Sequence, residues 1–115
     1  LIGVFDVTSN DVACIVRAQI GDQGGFRNAH GVDIASCLVP PVEIDAIECR
    51  AQDGQFRDEP VRVWLVLEER VVERDGYKIV FDEGSRLSGL AVAMKDSVPL
   101  FLGVYGSFID ALEAM

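Results

Sequence analysis

Basic charge, histidine and long apolar runs are all scarce in this sequence. Ten Lys and Arg face nineteen Asp and Glu, a formal net charge of −9 and a pI near 4.4. Binding to phosphate backbones needs a basic surface that displaces counterions, so this balance argues against nucleic acid as a partner. The same sign argues against docking on anionic membranes and suits a basic protein partner. No stretch approaches the roughly 18 consecutive apolar residues of a membrane span. No basic segment followed by an apolar one opens the sequence, so no signal peptide is expected. Cys14, Cys37 and Cys49 form no C-x-x-C pair and sit in apolar or alternating stretches. They are expected as buried free thiols of a cytoplasmic protein.

A single histidine limits the chemistry further. His30 has Asn28, Gly31, Asp22 and Asp33 near it in sequence, but nothing with the spacing of metal ligands. No metal and no cofactor is expected. The glycines from Gly21 to Gly25 lack the Gly-Lys-Ser/Thr of a phosphate loop. A cysteine nucleophile would need a nearby base, and His30 is the one imidazole available.

Half of the 115 residues are hydrophobic and a quarter are charged, as in an ordered protein with a true core. One domain spanning residues 1–115 is expected. Its organising stretch runs from Val61 to Tyr105. Four short runs rich in β-branched and aromatic residues, 61–67, 77–81, 87–93 and 100–105, read as an antiparallel meander. Asp75-Gly76 is a two-residue hairpin signal. It sets Glu73 opposite Lys78, Val72 opposite Ile79 and Val71 opposite Val80. Gly84-Ser85 sets Glu83 opposite Arg86 and Ile79 opposite Leu90. Asp96-Ser97 sets Ala91 opposite Leu102 and Val92 opposite Phe101.

With these registers one face carries Val63, Leu65, Leu67, Val80, Ala91, Ala93, Leu100, Leu102 and Val104. The other carries Trp64, Val66, Tyr77, Ile79, Phe81, Leu90, Val92, Phe101 and Tyr105. A sheet apolar on both faces must be covered on both, by the C-terminal helix, by the N-terminal third, or by a second subunit. A homodimer is therefore expected.

Outside the meander, Leu1–Val7 and Val12–Ile20 read as a hairpin turning at Thr8-Ser9-Asn10-Asp11. Ile34–Val39 reads as a short strand broken by Pro40-Pro41. Val42–Ala51 fits either period: Ile44, Ile47 and Ala51 suit a helix face, and Ile47, Cys49 and Ala51 suit a strand, which is favoured from about Glu43 to Ala51 and followed by an Asp53-Gly54 turn. Ser107-Phe108-Ile109-Asp110 is a capping box opening a C-terminal helix, with Phe108, Ala111, Leu112 and Met115 on one face. The fold class is α+β: a mainly antiparallel sheet of six to eight strands, open or curled toward a barrel, with one C-terminal helix packed on it.

Two sets of residues are candidate sites. The meander register brings Glu68, Glu69, Asp82 and Glu83 together, a like-charge cluster that a β-bulge near Arg70-Val71-Val72 would relieve or a basic partner would occupy. Trp64, Tyr77, Phe81, Phe101 and Tyr105 form an aromatic face, able to be core, interface or ligand pocket. The leading function is a non-catalytic interaction domain that self-associates and binds a partner through an acidic surface. A small-molecule site between the aromatic face and the C-terminal helix is the alternative, and an enzyme using His30 with nearby carboxylates ranks third.

Overall fold

A computed structural model describes residues 7–115. Helix α1 (Ser9–Ile20) comes first, then a four-residue helix α2 (Ile34–Cys37). Five strands follow: β1 (Leu38–Gln52), β2 (Gln55–Arg70), β3 (Asp75–Asp82), β4 (Leu87–Val92) and β5 (Leu100–Gly106). Helix α3 (Phe108–Ala114) ends the chain. The fold is α+β, and the five strands close into a small barrel.

Each strand pairs antiparallel with the next. Five is an odd number, so the first and last strands of such a sequence run the same way. β1 and β5 accordingly meet in parallel, at Ile47 with Leu100 and Glu48 with Phe101. Strand count is therefore five, below the six to eight expected. Closure also answers how a sheet apolar on both faces is covered. One face turns inward, where Ala46, Val63, Val80, Ala91 and Phe101, one residue from each strand, form a packed cluster. On the other face, Trp64, Val66, Leu67, Ile79, Phe81 and Leu90 meet Val12, Val16 and Ile20 of α1 and Phe108, Ala111 and Leu112 of α3.

α3 forms as its motif indicates. The Ser107 hydroxyl accepts from Asp110 N (3.2 Å) and the Asp110 carboxylate accepts from Ser107 N (2.9 Å). Phe108 and Leu112 are fully buried. Residues 9–20 correct the expected strand: they are a helix. Thr8-Ser9-Asn10-Asp11 is its capping box, with Asp11 N donating to the Thr8 hydroxyl and Thr8 N to the Asp11 carboxylate. Val12, Val16 and Ile20, four residues apart, form the buried stripe. The proposed partner strand, Leu1–Val7, lies outside the described residues but for Val7.

Ile34–Cys37 is also helical rather than extended, with Asp33 as its cap (Ser36 N to Asp33 Oδ1, 2.8 Å). Pro40 and Pro41 lie within β1 instead of ending it. They fall where the pairing with β2 is irregular, between Leu38 and Val42, so their missing donors break no regular ladder. Strand structure over 43–51 and the Asp53-Gly54 turn appear as expected, with both turn residues at positive φ and Gln52 opposite Gln55.

The Asp75-Gly76 turn is not formed. Those residues begin β3, and the reversal is made by Val71–Arg74, with Arg74 at φ 59° and its N–H on Arg70 O. Glu68 therefore pairs with Lys78, and Trp64 with Phe81. Irregularities fall between Leu65 and Leu67 and between Glu68 and Arg70 rather than at Arg70-Val71-Val72. Ile79 pairs with Leu90 as expected, but through a longer turn in which Arg86, not Gly84, takes positive φ. Ala91 and Val92 pair with Phe101 and Leu100, one residue from the expected register, which turns Phe101 into the barrel. The cysteines also depart from expectation: Cys14 and Cys49 are exposed and Cys37 is half-buried.

Two predictions follow from these contacts. A Cβ built on Gly89 of β4 would lie 2.1 Å from Gly103 O and 3.0 Å from Val104 Cα, backbone atoms of β5 that cannot swing away. Gly89→Ala should thus destabilise the fold by several kcal/mol, about the cost of strong overpacking. Gly24→Ala, which meets nothing, is the control. Chemical denaturation of both variants distinguishes them. The second concerns acid. Hydrogen bonds from the Thr8 backbone, then its hydroxyl, hold the Asp11 carboxyl below its ordinary 3.8. The Ser36 backbone N–H does the same for Asp33. A carboxyl whose folded pKa is depressed stabilises above its ordinary value and loses that contribution as pH falls through the folded value. Wild type should therefore exceed Asp11→Asn in stability at pH 7, and the gap should narrow below about pH 3.8. Melting curves across that range test it.

Candidate functional site

The strand irregularity after Leu65 builds the most unusual polar group in the molecule. Val63 and Leu65 line up with β3 so that Leu65 faces Val80. Continued without interruption, that register would set Leu67 beside Lys78. The extra residue at Val66 sends Leu67 to the helical core instead and puts Glu68 beside Lys78. Both are almost wholly buried, Glu68 3% exposed and Lys78 5%. Lys78 Nζ lies 3.0 Å from Glu68 Oε2 and donates at 3.3 Å to Arg74 O. Arg74 Nε approaches Glu68 Oε1 at 3.5 Å from an exposed position on the turn.

These groups stand at one end of the barrel. A cavity of about 280 Å³ opens there, lined by Ile44, Leu65, Arg74, Lys78, Ala93, Met94, Ser97 and Pro99. A buried ion pair is weak evidence for stability, because desolvation consumes most of the attraction. Its cost is offset where the pair has another task.

A second feature is the long hairpin of β1 and β2. From Cys49 to Asp58 these strands pair only with each other; β5 reaches β1 at Ile47 and Glu48, and β3 reaches β2 from Trp64 onward. The ribbon projects as an arm, and the radius of gyration, 14.5 Å, exceeds the about 13 Å of a compact chain of this length. Residues opposite each other share a face. One face carries Glu48 with Glu59 and Arg50 with Arg57; Arg50 bridges Glu48 and Glu59, the latter at 3.2 Å. The other carries Ile47 with Pro60, Cys49 with Asp58, and Ala51 with Phe56. Phe56 is 78% exposed. At the root of this apolar face a shallow groove of about 160 Å³ runs between Ile47, Asp58, Met94, Val98 and Leu100.

The four acidic candidates are dispersed. Glu68 is inside the barrel end. The Glu69 carboxylate accepts from Tyr77 N at 3.0 Å. Asp82 accepts from Ser85 N at 3.1 Å within the β3–β4 turn, and Glu83 accepts from the Trp64 indole at 3.2 Å. The like-charge cluster was a consequence of the unformed Asp75-Gly76 register. Of the aromatic candidates, Trp64 and Phe81 lie in the core under the helices and Phe101 lies inside the barrel, while Tyr77 and Tyr105 are exposed.

Tyr77 lines a cleft of about 190 Å³ with His30, Glu69 and Met115. Burial, aided by the Asp33 and Glu69 carboxylates, pushes the Cys37 thiol up, against the thiolate that a nucleophile needs. Among the described residues no group of three His, Cys, Asp or Glu side chains is placed to hold a metal ion, and no helix is long and apolar enough to cross a membrane.

Sequence reasoning missed two polar residues that matter. Asn28 is buried, donating to Leu112 O (3.0 Å) at the end of α3 and accepting from His30 N and Val32 N. Lys78 was visible only as a cross-strand partner for Glu73. A lysine flanked by Tyr77 and Ile79-Val80-Phe81 in a strand buried on both faces is a signal that could have marked it. The chain matches no protein-family model, no curated protein and no solved structure.

Removing one member of the buried pair should be far worse than removing both. Lys78→Met leaves the buried Glu68 carboxylate with the exposed Arg74 as its one cation and should cost up to about 3–5 kcal/mol, the loss for a fully uncompensated buried charge. Lys78→Met combined with Glu68→Leu should restore most of that loss. Urea unfolding of wild type, single and double variants measures the difference.

Proposed function

We propose that this chain is a non-catalytic protein-interaction domain that self-associates through the β1–β2 arm and offers its acidic surface to a basic partner. The observation that carries the reading is the outward face of the arm: Cys49, Ala51, Phe56 and Pro60 are exposed together around one charge, Asp58, and run on from Ile47. A two-stranded ribbon is marginal by itself in water. Apolar patches rimmed by polar residues mark interaction surfaces. Antiparallel arms of two copies can lay these faces together about a two-fold axis, the commonest symmetry of soluble oligomers. The charge of −9 favours a basic partner for the remaining surface.

A second reading has one observation in its favour. The cleft of His30, Glu69, Tyr77 and Met115 lies beside the C-terminal helix, where a small-molecule site was anticipated. At about 190 Å³ it is below the roughly 300–1,000 Å³ of ordinary ligand pockets, which ranks it second.

The arm reading is tested by Phe56→Glu. Sedimentation velocity should show dimers for wild type and monomers for the variant, and the variant should still unfold cooperatively, its melting temperature lowered only by the lost association, since Phe56 is largely exposed. A wild type that stays monomeric at high concentration rejects self-association.

A further inference from the structure

We propose that the barrel end bearing Lys78 and Arg74 is a binding site for a small organic carboxylate with an apolar body. An ammonium has three N–H donors. Lys78 directs one to Glu68 and one to Arg74 O, and its third remains for a group in the cavity that Lys78 lines. Arg74 approaches Glu68 through Nε at 3.5 Å, keeps a largely exposed side chain and lines the same cavity. Within this group two cations, Lys78 and Arg74, share one carboxylate, Glu68. The negative charge of the chain as a whole opposes an anion at long range, and the low-dielectric walls strengthen the short-range attraction of the two cations.

The walls decide the rest of the ligand. Ile44, Leu65, Ala93, Met94 and Pro99 are apolar, and Ser97 adds one hydroxyl. A single carboxylate can accept from Lys78 and Arg74 together while its hydrocarbon body rests on these side chains. Inorganic phosphate, with more negative charge and no apolar body, suits the site poorly. At about 280 Å³ the cavity lies just under the ordinary range for ligand pockets, which limits its ligand to a small molecule of the size of isovalerate or benzoate. The bulge at Val66 supports the assignment independently: it replaces a leucine with Glu68 inside the barrel, and bulges of this kind re-aim side chains beside functional sites. Glu68 then orients Lys78 rather than serving as a surface carboxylate.

The test is amide chemical-shift mapping of the full chain with acetate, isovalerate, benzoate, benzamide and inorganic phosphate. Isovalerate or benzoate should move the amides of Leu65, Lys78 and Ala93, with acetate weaker and benzamide and phosphate weaker still. Arg74→Gln, a change at an exposed side chain, should weaken benzoate by about tenfold or more, as expected for one charge-assisted bond. Ala93→Phe should block the cavity, and its spectrum reports whether the fold is kept. The proposal is overturned if none of the three carboxylates binds, if benzamide binds as well as benzoate, if phosphate binds more tightly than the carboxylates, or if the shifts map elsewhere.

Discussion

Between Leu65 and Leu67, β2 carries one residue more than β3 opposite it, and this insertion divides two cores. Strand side chains alternate, so each residue before the bulge has its face fixed by the register with β3. Val63 points into the barrel with Val80, Ala91, Ala46 and Phe101. After the bulge, Val66 and Leu67 both serve the layer under α1 and α3. The barrel keeps a layer of five side chains in which two alanines make room for one phenylalanine. The helices gain two branched side chains at the place where α1 and the residues around Val32 and Ile34 converge. Glu68 follows inward, and the buried charge of the barrel end depends on it.

The helical parts were legible wherever the cap was recognised. Ser107-x-x-Asp110 and Thr8-x-x-Asp11 are the same motif, and both satisfy first-turn donors in the same reciprocal way. The first was read as a cap because a single apolar stripe follows it. The second was read as a turn because Val12, Cys14, Val16, Ala18 and Ile20 alternate. Those positions contain both a period of two and a spacing of four, and periodicity alone cannot separate them. The capping box was the deciding signal. Asn28 was not legible, because nothing local in a glycine-rich loop reveals that its side chain will satisfy a helix-terminal carbonyl 84 residues away.

The turns show why one dipeptide can succeed and fail in the same chain. Asp53-Gly54 turns an arm that nothing else constrains. Asp75-Gly76 sits where tertiary packing sets the register. Gly76 is favoured there by its φ of 79°, a backbone conformation that other residues rarely adopt. With the turn moved to Val71–Arg74, Lys78 meets Glu68, and the acidic cluster inferred from the other register dissolves. The candidate site at the barrel end was therefore hidden twice, behind an unexpected bulge and behind a turn signal that served a different purpose.

Where the barrel ends, the polarity of the hairpin reverses. Within the barrel the inward positions of β1 and β2, Ala46 and Val63, are buried and apolar, while the outward Glu43, Asp45 and Arg62 are exposed and charged, with Arg62 near both acids. Beyond Ile47 the face continuous with the interior becomes Glu48, Arg50, Arg57 and Glu59, and the outward face becomes mainly apolar, with Cys49, Ala51, Phe56 and Pro60 around the single charge of Asp58. A ribbon that only extended into solvent would be polar on both sides. The charged side fits the loss of barrel cover, since nothing curls over it there. Among the described residues the apolar side is not covered by α1 or α3, whose buried faces pack with Trp64, Val66, Leu67, Ile79, Phe81 and Leu90. This reversal, more than overall hydrophobicity, distinguishes the arm from a ribbon that merely extends, and it is the ground on which the arm reading is proposed.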